Sequence, residues 1–192
     1  MAPRRSRHSR LRLEDYLAAV GLFLVVVVAL AVFGRGGAGA SNRTAGLRCD
    51  TAPQLAVHYH AHLDLLYGGR PVPVPAQVGI IRGCRYWLHT NSTDGVLHVE
   101  APAAAASRQF TVGDFFWVWG QPLSSRQVAT LKLGRGQQLK TWLDGRPFAG
   151  DVSGLVLRPR DQVVLEVGPP FVPPPRYDWN SESARRETSR VS

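Results

Sequence analysis

The chain has 192 residues, room for one ordinary domain with appendages, and a net charge of +9 from 23 Lys and Arg against 14 Asp and Glu. The excess is spread out: residues 1–15 hold five Arg against Glu14 and Asp15, and the rest is scattered without a run. No basic stripe interleaved with aromatics and no groove-reading motif accompanies it, which argues against nucleic acid as a partner.

Tyr16–Phe33, "YLAAVGLFLVVVVALAVF", carries no charge over 18 residues. As a helix it is about 27 Å long, close to the thickness of a hydrocarbon core of about 30 Å. The arginines precede it, so a single-pass signal anchor is expected, with residues 1–15 cytoplasmic and everything after Phe33 outside the cytoplasm. A cleaved signal peptide is the competing reading, because Ala38 and Ala40 form a small-residue cleavage pattern. A signal core is usually shorter, about 7–15 residues, which favours the uncleaved anchor. Both readings place the domain outside the cytoplasm, and the anchor places it at the cell membrane.

Residues 34–46, rich in Gly, Ala and Ser, read as a linker. The folded part is then expected over 47–168, long enough for a real core. Cys49 and Cys84 both lie in it, and an oxidising compartment favours a disulfide between them. Such a bond closes a loop of about 35 residues and adds roughly 3–4 kcal/mol by the chain-entropy estimate. The alternative, two thiolate metal ligands, matches no zinc-site spacing.

Val57 to Tyr67 alternates. Tyr59, Ala61, Leu63, Leu65 and Tyr67 share one face, and His58, His60, His62 and Asp64 share the other. "YGGRPVPVP" supplies a Gly-Gly turn and a return strand whose prolines suit an edge. "CRYWLHT" and "GVLHVE" read as two strands around "NSTD". A four-residue loop, 92–95, makes His89 face His98, with Glu100 on the same face as His98. The one expected helix is "TVGDFFWVWG". Thr111 and Asp114 form its capping box, and Gly120 and Pro122 stop it. Asp144-Gly145 marks a hairpin turn, and "DQVVLEVG" is the last strand. The expected fold class is α+β: a mixed or antiparallel sheet with one short helix packed on it. After Gly168 the proline-rich, aperiodic remainder, 169–192, reads as a disordered tail.

Every histidine except His8 falls in two neighbouring segments: His58, His60 and His62, then His89 and His98. Side chains two apart on a strand are parallel, and directly opposed residues across a hairpin have Cβ atoms about 4.5–5.5 Å apart. Neutral imidazole suits Cu and Zn, so these five are the candidate metal ligands. Asp64 and Glu100 are candidates for a further ligand or for an acceptor that orients a ring. The plain alternative is a hydrogen-bonding cluster on the wet side of a sheet.

The blocks "HYHAHLDLLYGGRPVPVPAQVGI", "CRYWLHTNSTDGVLHVEAP", "FTVGDFFWVWGQPLS" and "TWLDGRPF" resemble an uncharacterised family of membrane-anchored prokaryotic proteins. That family carries HxHxHL, IPxxIGI, C-x-YWLHTHD, GxIHIE and FTLGQFFxxWG in the same order. The resemblance covers about residues 49 to 168. It implies a shared extracytoplasmic domain rather than a reaction. Asn91 stands where the family has the second histidine of its HTHD block. That leaves His58, His60, His62, His89 and His98 as the ligand candidates.

Three functions follow from this reading. One is a membrane-anchored domain that binds Cu or Zn. The second is a non-catalytic interaction or assembly module with structural histidines. The third is a zinc hydrolase with Glu100 or Asp64 as general base. No HExxH, nucleophile elbow or paired-carboxylate signature supports the third, and an enzyme is not the favoured expectation.

Overall fold

The structure, a computed structural model, describes residues 47–180. The expected anchor and linker, and the end of the tail, lie outside these residues. Among the described residues, no helix is long and apolar enough to cross a membrane.

In chain order the strands are β1 (Cys49–Asp50), β2 (Val57–Tyr67), β3 (Arg70–Val72), β4 (Ile80–Ile81), β5 (Cys84–Tyr86), β6 (Leu88–His89) and β7 (Val96–Ala101). The helix α1 (Val112–Trp119) follows. Then come β8 (Leu123–Ser124), β9 (Gln127–Val128), β10 (Leu131–Lys132), β11 (Gln138–Leu143), β12 (Arg146–Pro147) and β13 (Gln162–Gly168). The main sheet runs β12-β11-β13-β2-β7-β6, with β3 beside the far end of β2. It is mixed: β13 pairs parallel to β2, and the other neighbours are antiparallel. The result is a small β-rich domain with one α-helix.

The alternation in β2 sets the two faces. Ala61, Leu63 and Leu65 are buried, and opposite or beside them lie Leu97 and Val99 of β7, Leu88 of β6, and Val163 and Leu165 of β13. These belong to one apolar cluster with Phe110, Phe115 and Phe116. The last two are the inner face of α1. The helix begins as its sequence requires: Asp114 N–H donates to Thr111 Oγ1 (3.1 Å), and Thr111 N–H donates to Asp114 Oδ2 (3.0 Å). It ends at Gly120, where φ is +69°.

The disulfide Cys49–Cys84 is present and joins β1 to β5, with Cα atoms 5.3 Å apart. The two sulfurs bond each other, which removes them as thiolate ligands. Asp144 and Gly145 both have positive φ, 51° and 74°, as a two-residue turn between β11 and β12 needs. The connection between β6 and β7 is longer than the expected four residues, running from Thr90 to Gly95. Thr90 turns away to exchange hydrogen bonds with Val78 and Pro75. The opposition of His89 and His98 survives this lengthening.

Residues 169–180, read from sequence as disordered, lie along the polar face of the sheet. Val172 N–H donates to Glu166 Oε1 (3.1 Å). The Gln162 amide is held at both ends: its Nε2 donates to Pro175 O (3.0 Å), and its Oε1 accepts from Tyr177 N–H (2.9 Å). Lys140 Nζ sits 3.9 Å from the centre of the Phe171 ring. An extended Pro-rich segment has no internal hydrogen bonds and no periodicity to reveal it. It packs here because β13 presents polar side chains that need partners.

Candidate metal centre

The histidines of β2 alternate with core residues, so they face away from the apolar cluster. Register then decides what they meet. His60 is opposite His98, His58 is opposite Glu100, and His98 is opposite His89 on its other side. A row of rings therefore crosses three strands. The centroids of His58 and His60 are 5.0 Å apart, those of His60 and His98 4.4 Å, and those of His98 and His89 5.1 Å. The row descends from the exposed His58 through the part-buried His60 to His98 and His89, both 0% exposed.

At the deep end three donors converge. His89 Nδ1–H donates to Tyr86 O (3.0 Å), which leaves the lone pair on Nε2. That atom lies 3.8 Å from Glu100 Oε1, and His98 Nδ1 lies 3.9 Å from the same oxygen. One ligating atom from each of the three residues falls within 4.8 Å of the others. Tetrahedral Zn with N and O ligands at about 2.0–2.1 Å holds its donors about 3.3–3.4 Å apart. The trio is thus a little wider than a closed site, and a small contraction would close it. On its other side His98 Nε2 is 3.2 Å from Asn91 Nδ2. An amide can present either its N–H or its oxygen there, so Asn91 suits either tautomer of His98.

Burial favours neutral rings. It pushes His89 down to about 4, with the charge of Arg85 adding to it. It pushes His98 down to about 2, with His60 the next cause, and His60 to about 4, helped by His58. Neutral imidazole is the ligating form. With neutral rings the contacts to Glu100 are not ion pairs. The cation nearest Glu100 in this group is instead Arg85, whose Nη1 is 3.7 Å from Oε2 and 3.3 Å from His89 Nε2.

His62 and Asp64 belong elsewhere. His62 Nε2 is 2.7 Å from Asp94 O and Nδ1 is 3.2 Å from Asp64 Oδ2, so both ring nitrogens already face oxygen. The ring stacks on Tyr177 at 3.8 Å. Asp64 Oδ2 also accepts from Gln162 Nε2 (2.7 Å). Gly95, at φ +82°, lets the loop close on this ring, since an added Cβ would stand 2.5 Å from Leu63 O. Of the two general bases considered for a hydrolase, Glu100 is itself one of the converging donors and Asp64 is engaged with His62 and Gln162. The groove lined by Trp142, Phe148 and Val152 contains none of these histidines.

Two contributors lie beyond local sequence patterns. Nothing local shows that Arg85 on β5 comes beside Glu100 on β7. Asn91 stands out in the sequence only as a departure from the family block. No protein-family model matches the chain, and neither does any curated protein or solved structure.

Proposed function

We propose that the chain is a membrane-anchored extracytoplasmic domain that binds a transition-metal ion, Cu or Zn, through His89, His98 and Glu100, with His60 beside His98 as a further donor. The reading is carried by one observation: two imidazoles and one carboxylate, all buried, direct ligating atoms to within 4.8 Å of one another. Among first-row divalent ions, Cu(II) binds nitrogen and oxygen donors most tightly. The anchor is supported by the uncharged run 16–33 behind five arginines.

The test is elemental analysis of the purified full chain after loading with Cu(II) or Zn(II) and desalting. Close to one ion per chain is expected, and the double substitution His89→Ala, His98→Ala should reduce it to background. Equal uptake by the double variant would sink the proposal. A second reading, an interaction or assembly module with structural histidines, is favoured by Arg85, which already gives the buried carboxylate a positive partner. It predicts no uptake by either form.

A further inference from the structure

We propose that Arg85 is the resident cation of the histidine centre, standing where a divalent ion would bind, and that it sets a threshold which Cu(II) passes more readily than Zn(II). This rests on the metal-binding reading above. The Arg85 guanidinium reaches the lone pair of His89 Nε2 (3.3 Å) and the carboxylate of Glu100 (3.7 Å). The first is a donor that a metal requires, and the second belongs to the residue that supplies another donor through its Oε1. One lone pair cannot serve an N–H and a metal ion together, so entry of an ion requires the guanidinium to leave.

The local structure suits such an exchange. The Glu100 side chain is 2% exposed, and a buried carboxylate without a positive partner is strongly disfavoured. A cation there therefore stabilises the ionised carboxylate. The Arg85 side chain is 31% exposed, so its head can pass into water while its stem stays on the surface. Its backbone is fixed. Cys84, the preceding residue, is in the disulfide, and Tyr86, the following residue, holds His89 Nδ1–H. Arg85 itself pairs with Asp50 on one side and Ile80 on the other. Only the side chain has to move.

The cost of displacing the arginine is the same for every ion and lowers every affinity alike. Ions that bind weakly at nitrogen donors then fall below occupancy first, and Cu(II), at the top of the order, falls last. The plain alternative is an Arg85–Glu100 pair that serves stability alone.

The experiment titrates the full chain with Cu(II) and separately with Zn(II), against a chromophoric competitor chelator, for wild type and Arg85→Gln. The variant should bind each ion at least about 10-fold more tightly, a size usual for coupled sites. Its metal-free melting temperature should fall while its metal-loaded one does not. If Arg85→Gln does not fold, Arg85→Met, which keeps the apolar stem, must show the same gain. Binding of unchanged or weaker affinity in the neutral variant overturns the role of Arg85 and leaves the metal reading intact. No uptake by wild type or variant overturns both.

Discussion

The two ends of the polar face use the same residue types to opposite effect. At one end His62, Asp64 and Gln162 are closed by the protein's own tail. Every nitrogen of the ring meets an oxygen, and an aromatic ring lies on top. At the other end His60, His98 and His89 touch mainly one another, and an arginine with one-third of its side chain in solvent closes the group. His62 is fixed by backbone and carboxylate oxygens and by the ring that covers it. His89 and His98 stack on one another, and the contact that His89 Nε2 accepts comes from a partly exposed arginine. Spacing along β2 is identical for His60 and His62, so the difference comes from what lies across the sheet.

Removing the tail should separate the two ends most clearly. Ending the chain after Gly168 removes the partners of Gln162, Glu166 and the His62 ring. It should cost about 2–3 kcal/mol of stability, because buried polar groups lose their hydrogen bonds. Metal uptake per folded molecule should not change. Chemical unfolding together with metal analysis of the truncated chain checks both, and lost uptake in a folded truncation would show that the two ends are one site.

A second effect, expected to be smaller, comes from pH. His60 and His89 are held near 4 in the folded protein against 6.5 when free, in each case chiefly by burial. The folded state therefore binds fewer protons than the unfolded chain between these values. Stability is full above about pH 6.5 and is lost as pH falls toward 4. Urea midpoints should drop across that window, and His89→Gln should flatten the drop. A slope unchanged by His89→Gln would show that other groups drive it.

The smallest effect is expected for His62→Ala. It should cost about 1 kcal/mol by loss of the stack and the contact to Asp94. Copper affinity should stay within about twofold, which a competitor titration resolves. A large loss of affinity would move His62 into the centre.

Much of this was legible in the sequence, for a local reason. Alternation from Val57 to Tyr67 predicts β2 and its polar face, and a hairpin predicts that His89 faces His98. Thr111, Asp114 and Gly120 predict the helix together with both of its ends. Each rests on contacts close in sequence. The pairing of β2 with β7 was a condition for the row of rings, and the register supplies it. What stayed illegible depends on distant pairing. Periodicity says nothing of β13 lying between β11 and β2, of Arg85 reaching Glu100, or of Tyr177 reaching His62. The small sheet of β8, β9 and β10 leaves no periodic signal because its strands are two residues each.

The parallel pairing of β2 with β13 also orders events in time. His62 lies beside Gln162, 100 residues later in the chain. At about 5–20 residues per second, synthesis separates the two by about 5–20 s. Throughout that interval the first long strand has been made and the strand that will flank it has not. His62 is thus made early and is among the last groups of the sheet to be enclosed, so a nascent chain presents its imidazole to the surroundings before β13 and Tyr177 exist to cover it.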